Sequence, residues 1–311
     1  MDDVQLSVIV PLYNEEACVK ALYQAITNAL EPLDITYEIL FVDDGSKDNT
    51  VAESAKLVAH DNRLRIVKFR RNYGQTPAMA AGIDNARGKI LVTMDGDLQN
   101  DPSDIPHFLK KMEEGYDIVV GWRHKRQDKL ITRKIPSMIA NRLIGKITGV
   151  PIKDNGCSLK AYKADVIKNI PLYSEMHRFI PAMASLAGTR VAEIKVKHHA
   201  RQFGESKYGL SRIFKVLVDL ITIKSILSFY SKPLALFTLV AFVSAILGAG
   251  IIGLAVTENN GHFSVIYAST AFLYFTLSAI LLVWGILGEL IFFTGETKQD
   301  FFAQIKHSVQ K

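Results

Sequence analysis

A stretch of 61 residues near the C-terminus of this 311-residue chain carries only two charged side chains, Glu258 and Glu289. It contains two apolar segments of 24 and 29 residues, Pro233–Val256 and Val265–Phe293, joined by eight polar, turn-prone residues. About 20 apolar helical residues cross the hydrocarbon core of a bilayer, so each segment is long enough to span a membrane. The pattern predicts a transmembrane helical hairpin rather than a pair of buried core helices.

Basic residues flank the predicted hairpin at its outer ends only. Lys224 and Lys232 precede the first span and Lys298, Lys306 and Lys311 follow the second, whereas the connecting residues hold no Lys or Arg. Because basic residues favour the cytosolic side, we expect both termini to be cytosolic. The N-terminal sequence MDDVQLSVIV has no basic n-region of a signal peptide. These features predict a multi-pass protein of the inner (cytoplasmic) membrane whose large N-terminal part faces the cytosol.

Charge is segregated along the chain, although the formal total is only +6. Residues 1–120 carry a net charge of −8, residues 121–215 carry +14, and residues 216–311 are neutral overall. The apolar fraction of 49% excludes a disordered or collagen-like chain. Cys18 and Cys157 belong to no CxxC pattern or Cys/His cluster, so we expect both to be structural rather than part of a zinc site or redox pair.

The first 120 residues alternate between strand-like and helix-like patterns. Apolar β-branched runs predict strands at Leu6–Val10, Glu38–Val42, Leu64–Phe69, Ile90–Met94 and Asp117–Val120, and helical spacing predicts helices at Glu15–Leu30, Asn49–Ala59, Thr76–Ala86 and Ser103–Glu113. Repeated β-α order favours an α/β fold, Rossmann-like, with a mostly parallel sheet covered by helices. Ligands of such sheets bind at the carboxyl ends of the strands.

Two carboxylates follow the fourth predicted strand, in the segment MDGDLQND. Asp95 and Asp97 at the end of a buried strand would be costly unless a cation or donors compensate them. Mg²⁺ or Mn²⁺ commonly takes one or two carboxylates and completes its shell with phosphate oxygens and water, and Gln99 offers an amide oxygen. A solvated loop is the alternative for the DxD pattern alone. Its position after a strand favours a metal–diphosphate site.

The ends of the first two strands carry candidates for nucleotide binding. Asp43 and Asp44 lie before a turn glycine, and we expect them to hydrogen-bond a base or ribose. Tyr13 can stack on a ring, and Asn14 can cap the next helix. Glu15 lies at the positive helix N-terminus, where it can accept from a ribose hydroxyl.

These segments together resemble a known family. PLYNE, DDGS, RRNYG and MDGDLQ resemble the motif series of family 2 glycosyltransferases with a GT-A fold. DLQNDP followed by VVGWR resembles the polyprenyl-phosphate branch, which includes dolichol-phosphate mannose synthase and bactoprenol glucosyltransferase. The similarity covers residues 5–210, and the two-span hairpin matches the bactoprenol-type members. The chain departs from the family at Gly96, where Ala is common, and at Trp122, where Ser is common.

The resemblance implies roles for individual residues. It assigns the metal and donor diphosphate to Asp95, Asp97 and Gln99, and the nucleotide pocket to Pro11, Tyr13, Glu15, Asp43, Asp44, Arg71 and Asp95. By their context in the basic middle of the chain, Arg123, Arg133, Arg201 and Lys207 are expected to bind the acceptor phosphate, and the resemblance reads Arg123 and Arg201 as phosphate contacts. Asp154 matches an acidic residue near the acceptor, so Asp95, Asp97, Asp154 and Arg123 are the candidate catalytic residues. A turn aspartate before Asn155-Gly156 is the alternative for Asp154.

The resemblance also implies a domain order. We expect a GT-A domain at 1–209, with a nucleotide-sugar half at 1–120 and an acceptor half at 121–209. A juxtamembrane amphipathic helix at 210–232 is expected to lie on the membrane lipid, or else to pack on its own domain. The spans at 233–256 and 265–293 and a cytosolic tail at 294–311 follow.

The implied activity is inverting, metal-dependent transfer of one hexose from a UDP-sugar to polyprenyl (undecaprenyl) phosphate, giving a lipid-linked sugar for modification of cell-surface glycans. The QxxRW motif of processive synthases is absent, which favours a single transfer. Glucose is the expected sugar, with mannose, modified arabinose, galactose and N-acetylglucosamine left open.

Two other functions remain: transfer to a hydroxyl acceptor such as diacylglycerol, and a non-enzymatic membrane scaffold that binds nucleotide-sugar. The expected partners are a downstream flippase and a glycan-modifying transferase, with no nucleic acid. GAGIIG at Gly248–Gly253 satisfies GxGxxG but lies inside a span, where it predicts close helix packing or self-association rather than cofactor binding.

Overall fold

The computed structural model describes residues 4–124, 142, 144–146, 149–170, 172, 176–185, 188–200, 222, 233–258 and 265–294. The chain divides into two compact units, Met1–Ile223 and Lys224–Lys311. The amphipathic helix predicted at 210–232 and the tail predicted at 294–311 lie almost wholly outside the described residues.

The first unit contains every strand and helix predicted for the first 120 residues, with small shifts at their ends. Its strands are β1 (Leu6–Leu12), β2 (Tyr37–Asp43), β3 (Leu64–Lys68), β4 (Ile90–Thr93), β5 (Ile118–Trp122), β6 (Lys160–Lys163) and β7 (Val191–Lys195). Its helices are α1 (Glu16–Leu30), α2 (Thr50–Val58), α3 (Gln75–Asn85), α4 (Ile105–Glu113), α5 (Ala164–Ile167) and α6 (Ile180–Ser185). Short 3₁₀ turns lie at Pro102–Asp104 and Met176–Arg178.

The seven strands form one sheet in the order β3-β2-β1-β4-β6-β5-β7. All neighbouring pairs are parallel except those of β6, which runs antiparallel to both β4 and β5. Because β6 is antiparallel to both of its neighbours, β5 runs in the same direction as β1 to β4. The carboxyl ends of the five predicted strands therefore share one edge of the sheet, as expected.

The core forms because the central strands are apolar on both faces. β1 and β2 are buried along almost their whole length, as parallel strands covered by helices must be. Helix α1 turns one apolar stripe toward the sheet, through Val19, Leu22, Ile26 and Leu30. Burying such side chains stabilises the domain by about 1.5–3 kcal/mol each.

The second unit consists of two long helices, α7 (Pro233–Glu258) and α8 (Val265–Thr294). They pack antiparallel as a hairpin: the hydroxyl of Ser244 donates to the carbonyl of Tyr274 at 2.8 Å, and Gly248 lies close to Phe275. Their apolar spans have mean hydropathies of 2.5 and 2.0, and only 17% of each span is buried. A core helix of a soluble protein would be mostly buried, so exposure and length together indicate helices able to cross a membrane. The predicted fold class is confirmed: an α/β domain followed by a two-helix apolar hairpin.

Candidate active site

Polar side chains of several loops meet at the carboxyl edge of the sheet. The loops after β1, β2, β3 and β4 are joined there by hydrogen bonds between side chains and backbone, and Arg123 follows β5 at the same edge. These loops carry most of the site residues that the sequence predicts. Arg133, Arg201 and Lys207, predicted for the acceptor phosphate, lie outside the described residues.

The loop after β4 presents both predicted metal-binding carboxylates. The Asp97 side chain is buried and one of its oxygens accepts from the backbone N–H of Gln99 at 3.2 Å. Asp95 accepts from the side-chain amide of Gln75, the first residue of α3, at 2.6 Å. Leu98 has a φ of +60°, a left-handed backbone that is uncommon for a non-glycine residue and that often marks functional sites.

The donor set of this loop fits a hard divalent cation. Among the described residues there is no group of three or more His, Cys, Asp or Glu side chains that could enclose a metal by themselves. Two carboxylates at the sheet edge match Mg²⁺ or Mn²⁺, which leaves most of its coordination positions to phosphate oxygens and water. The side-chain amide nitrogen of Gln99 faces the carbonyl of His199 at 3.4 Å, and its role as a metal ligand stays a prediction.

Asp43 and Asp44 end β2 side by side but have different partners. Both oxygens of Asp43 face a single donor, the N–H of Ser46, at 3.2 and 3.3 Å. Asp44 accepts three hydrogen bonds of 2.7–2.8 Å from the loop after β3, from Asn72, Tyr73 and Gly74. Burial raises the pKa of Asp44, against the lowering effect of the two backbone donors. Asp44 holds the loop after β3 in place. Asp43 is buried, and its contact with a nucleotide stays a prediction.

The residues after β1 form a tight link to the loop after β2. Asn14 has a φ of +51°; its N–H donates to Ser46 and its side-chain oxygen accepts from Lys47. The prediction that Asn14 caps α1 is wrong, because Glu15 occupies the capping position and makes no side-chain cap hydrogen bond. The N–H of Glu16, the first residue of the helix, donates to the Asp48 carboxylate at 3.2 Å. Asn14 instead binds across to the next loop.

The remaining residues predicted for the nucleotide pocket lie on the same loops. Pro11 is within β1 and Tyr13 follows it. Glu15 immediately precedes α1, and one of its side-chain oxygens lies 3.5 Å from the thiol of Cys18. The guanidinium of Arg71 stacks on Tyr73 at 4.7 Å from the ring centroid. Contact of these residues with a nucleotide stays a prediction.

Arg123 and Asp154 form a bidentate ion pair at the end of β5. The two guanidinium–carboxylate distances are 2.7 and 2.9 Å, and the N–H of Arg123 adds a third contact at 3.3 Å. The exposed fractions of the two side chains are 14% and 3%. Burial alone would lower the pKa of Arg123, but the hydrogen bonds to Asp154 outweigh it and raise the pKa, and Asp95 contributes in the same direction. Arg123 is therefore within electrostatic reach of both Asp154 and Asp95.

Two polar residues of this region were not predicted from the sequence. Gln75 binds Asp95, and Glu193 on β7 accepts from the backbone N–H groups of Lys153 at 2.8 Å and Asp154 at 3.3 Å. The pattern VAEIKV alternates and is rich in β-branched residues, so it could have indicated β7. Nothing local in the sequence indicates the partner of Gln75.

A buried lysine lies at the start of β6. The ammonium of Lys160, at the start of β6, donates to the carbonyls of Asn155 at 3.2 Å and His177 at 3.1 Å. Burial lowers its pKa to about 8. Burial also raises the pKa of Cys157 to about 12, which makes that thiol unreactive. Cys18 is likewise buried and is not part of a disulfide. A structural role for both cysteines stays a prediction.

Trp122, the other departure from the family pattern, ends β5 among basic side chains. The ammonium of Lys153 lies 4.1 Å and that of Lys195 5.7 Å from its ring centroid, and the ring of His124 packs against its edge at 4.7 Å. Cations close to an indole face are stabilised by its quadrupole. Two ammonium groups therefore lie near the ring of Trp122, the residue that precedes Arg123.

Comparison with solved structures identifies the class of the domain. Glucosyl-3-phosphoglycerate synthase from Mycobacterium tuberculosis, in complex with Mn²⁺, UDP and phosphoglyceric acid, superposes with a TM-score of 0.56 at 16% identity, over 71% of this chain and 78% of that one. Its complex with Mn²⁺ and UDP-glucose gives a TM-score of 0.54, also at 16% identity, over 71% and 78% of the two chains. At such low identity the likeness concerns the fold alone. That fold is the GT-A α/β fold of nucleotide-sugar transferases.

Sequence comparison narrows the class to a family. The model of glycosyl transferase family 2 matches residues 7–170, more than half of the chain. The dodecaprenyl-phosphate galacturonate synthase of Rhizobium johnstonii is 47% identical over 237 residues, which are 75% of this chain and 70% of that protein. This chain belongs to glycosyltransferase family 2, and the resemblance first seen in its motifs is confirmed.

Proposed function

We propose that this glycosyltransferase moves one sugar from a UDP-sugar to a polyprenyl phosphate. The observation that carries the proposal is the arrangement of one sheet edge, where the loop with Asp95 and Asp97 follows β4 and the Arg123–Asp154 ion pair lies at the end of β5. Such an edge can hold a diphosphate through a metal on one side and an anionic acceptor on the other. The relative named for dodecaprenyl-phosphate galacturonate synthesis supports a lipid phosphate as that acceptor.

The donor side of the site would hold the UDP-sugar by its two ends. Asp95 and Asp97, with Gln99, would hold Mg²⁺ or Mn²⁺, which when bound supplies positive charge to the diphosphate leaving group. The solved GT-A neighbours that contain Mn²⁺ with UDP or UDP-glucose support this choice. Asp43 would accept from the base or ribose, and Arg71 would add positive charge near the phosphates.

The transfer itself needs little acid–base chemistry from the protein. A phosphate-monoester oxygen is already ionised at neutral pH, so it can attack the anomeric carbon without a strong general base. One C–O bond forms to the lipid phosphate as the C–O bond to the diphosphate breaks, and UDP leaves with the electron pair. This single displacement inverts the anomeric carbon. Arg123 offsets the repulsion between two anions, and Asp154 orients Arg123.

For the sugar, the relative favours galacturonate over the glucose expected from the hairpin topology. A uronic acid adds one carboxylate to the donor. The ammonium groups of Lys153 and Lys195 lie 4.1 and 5.7 Å from the ring centroid of Trp122, the residue before Arg123, and so bring positive charge to this edge of the sheet. Local positive charge of this kind favours an anionic ligand. We therefore propose UDP-galacturonate as the donor, with UDP-glucose as the main alternative.

The decisive experiment uses the full chain, purified in detergent and supplied with Mg²⁺ or Mn²⁺. UDP-galacturonate, UDP-galactose and UDP-glucose, each radiolabelled, are offered with undecaprenyl phosphate or diacylglycerol, and the lipid products are separated by thin-layer chromatography. We expect product with the lipid phosphate only, and most from UDP-galacturonate. Product on diacylglycerol would contradict the acceptor, and nucleotide-sugar binding without any product would indicate a scaffold.

The metal assignment has its own test. Asp97→Ala removes a buried carboxylate of the metal loop, and excess EDTA removes the ion, so we expect each to reduce turnover by about 100-fold or more. Asp84→Ala, at an exposed position of α3, is the matched control and should retain full activity. Full activity of Asp97→Ala, or of the wild type in EDTA, would disprove the metal site.

The cellular setting completes the proposal. We propose a GT-A domain at 1–209 on the cytosolic side of the inner membrane, joined through 210–232 to the hairpin, because its nucleotide-sugar donor is water-soluble. A flippase and a glycan-modifying transferase downstream, and self-association through the small residues of the first span, stay predictions.

A further inference from the structure

We infer that Glu193 is a positioning residue for the acceptor side of the site, because it holds the backbone beneath Asp154 and so keeps the Arg123–Asp154 pair aligned. This inference rests on the proposed transfer to a lipid phosphate. It concerns a strand, β7, that the sequence patterns did not predict.

The first step is the position of Glu193. Strand β7 lies at the edge of the sheet and pairs in parallel with β5, with Glu193 opposite Val120. Arg123 follows β5 within three residues of that point. The rigid ladder between β5 and β7 therefore fixes the distance between Glu193 and Arg123.

The second step is what Glu193 binds. One oxygen of its half-buried carboxylate accepts from the backbone N–H groups of Lys153 and Asp154, at 2.8 and 3.3 Å. Residues 151–159 are neither helix nor strand, so no secondary structure supplies acceptors for these two groups. Without Glu193, the part-buried N–H of Asp154 would lose this acceptor and the exposed N–H of Lys153 would bind water instead, so the loop would lose its link to β7.

The third step links the loop to the chemistry. Asp154 receives three donors from Arg123, and a bidentate pair of this kind depends on the orientation of both planar groups. On the other side of Asp154 along the chain, Lys160 donates to the carbonyl of Asn155. Glu193 and Lys160 together hold the two flanks of Asp154. A shift of the Asp154 backbone would be passed directly to Arg123.

Two conservative variants distinguish the effect of the length of the Glu193 side chain from the effect of its charge. Glu193→Gln keeps an oxygen at the same reach but removes the charge, whereas Glu193→Asp keeps the charge but withdraws the oxygen by one methylene. We expect Glu193→Gln to retain the wild-type rate within about 2-fold and Glu193→Asp to lower kcat by roughly 10- to 100-fold, the usual cost of a displacement near 1 Å. KM for the UDP-sugar should not change, since other loops hold the donor. The assay is sugar transfer to undecaprenyl phosphate by the full chain.

A double variant tests whether Glu193 acts through Asp154. If it does, Glu193→Asp should cost nothing further in an Asp154→Asn background, because residues of one network are not additive. Glu114→Asp, an exposed glutamate after α4 paired with Lys111, is the matched control and should behave as wild type. Thermal midpoints of all variants in detergent report whether they are folded.

The outcomes distinguish this inference from the proposed function. If the wild type makes no lipid-linked sugar, the proposed function fails. If the wild type is active but Glu193→Asp is equally active, or Glu193→Gln is as slow as Glu193→Asp, the positioning role is disproved. Additive losses in the double variant would also disprove it, since Glu193 would then act independently of Asp154.

Discussion

Charged side chains that are largely shielded from solvent hold the residues of this site in place. Arg123 and Asp154 satisfy each other, as buried ion pairs must, because an unpaired buried charge costs several kcal/mol. Lys160 is different: it binds two backbone carbonyls and no carboxylate accepts from it within the described contacts. Its ammonium is therefore stabilised less well in the fold than in water, which is the reason that its pKa falls to about 8.

The low pKa of Lys160 predicts a specific pH dependence of stability. The unfolded chain, with an ordinary lysine pKa of 10.5, binds more protons than the folded chain between pH 8 and that value, so this group makes stability rise with pH across this window. Below about pH 8 both states are protonated and the cost of burial is complete. Lys160→Met should lack this pH-dependent contribution to stability.

The measurement is the thermal midpoint in detergent at pH values from 7 to 10.5, taken as the difference between wild type and Lys160→Met. Lys20→Met, exposed on α1, serves as control and should show no such slope. A constant difference between wild type and Lys160→Met across the whole range would contradict the buried charge.

Elements and loops explain how residues from distant parts of the sequence meet. The loop after β2 and the loop after β3 touch backbone to backbone at Gly45, which has a φ of +71°. A Cβ built there would lie 2.3 Å from the carbonyl carbon of Arg71, a contact that no side-chain movement can relieve. At Gly96 a Cβ would meet the flexible end of Leu12 at 2.4 Å. The two glycines therefore differ in how easily they accept a methyl group.

This difference predicts unequal effects of two identical substitutions. Gly45→Ala should weaken UDP binding by about 10-fold or more and destabilise the domain by about 1–3 kcal/mol, because the left-handed backbone and the loop contact are both strained. Gly96→Ala should lose less, because the nearest atom is the end of the Leu12 side chain rather than backbone. Calorimetric titration with UDP in the presence of Mn²⁺ compares the two; equal affinities would show that the contact at Gly45 does not shape the pocket.

The same scale shows where pattern-based prediction succeeded and where it stopped. The strands and helices of the first 120 residues are confirmed because their apolar periodicity is local and strong. Strands β6 and β7 were missed: β6 has four residues with a lysine at each end, and β7 is half-exposed at the sheet edge. Short or edge strands owe their conformation to pairing with neighbours, which a local pattern records weakly.

At the scale of the whole molecule, exposed apolar side chains and charged side chains lie in different parts of the chain. Among the described residues, the exposed large hydrophobic side chains all lie on α7 and α8, with the single exception of Tyr73. Patches of that extent are rare on soluble proteins and suit contact with lipid chains. The only acidic group whose side chain is described on these helices, Glu289, accepts from the backbone N–H of Leu234 at 3.2 Å, which satisfies one donor at the start of α7.

Membrane orientation can be tested with single cysteines. Cys18 and Cys157 are buried, so they should contribute little background labelling. We expect Asn260→Cys, in the predicted hairpin tip, to react with a membrane-impermeant maleimide in right-side-out vesicles, and Gln310→Cys, in the predicted tail, to react only in inverted vesicles. Labelling of both positions from the same side would exclude the hairpin topology.

The sequence by itself determined the apolar spans, the order of strands and helices in the first half, and the residue types that each strand delivers to the sheet edge, because these depend on length and short-range periodicity. Only the tertiary structure decided which of those residues act together. Asp154 meets Arg123 from 31 positions away, and Glu193 meets Lys153 from 40. Such pairings depend on the order of strands in the sheet and on the path of the loops. A hydrogen bond between residues far apart in the sequence produces no periodic pattern in that sequence.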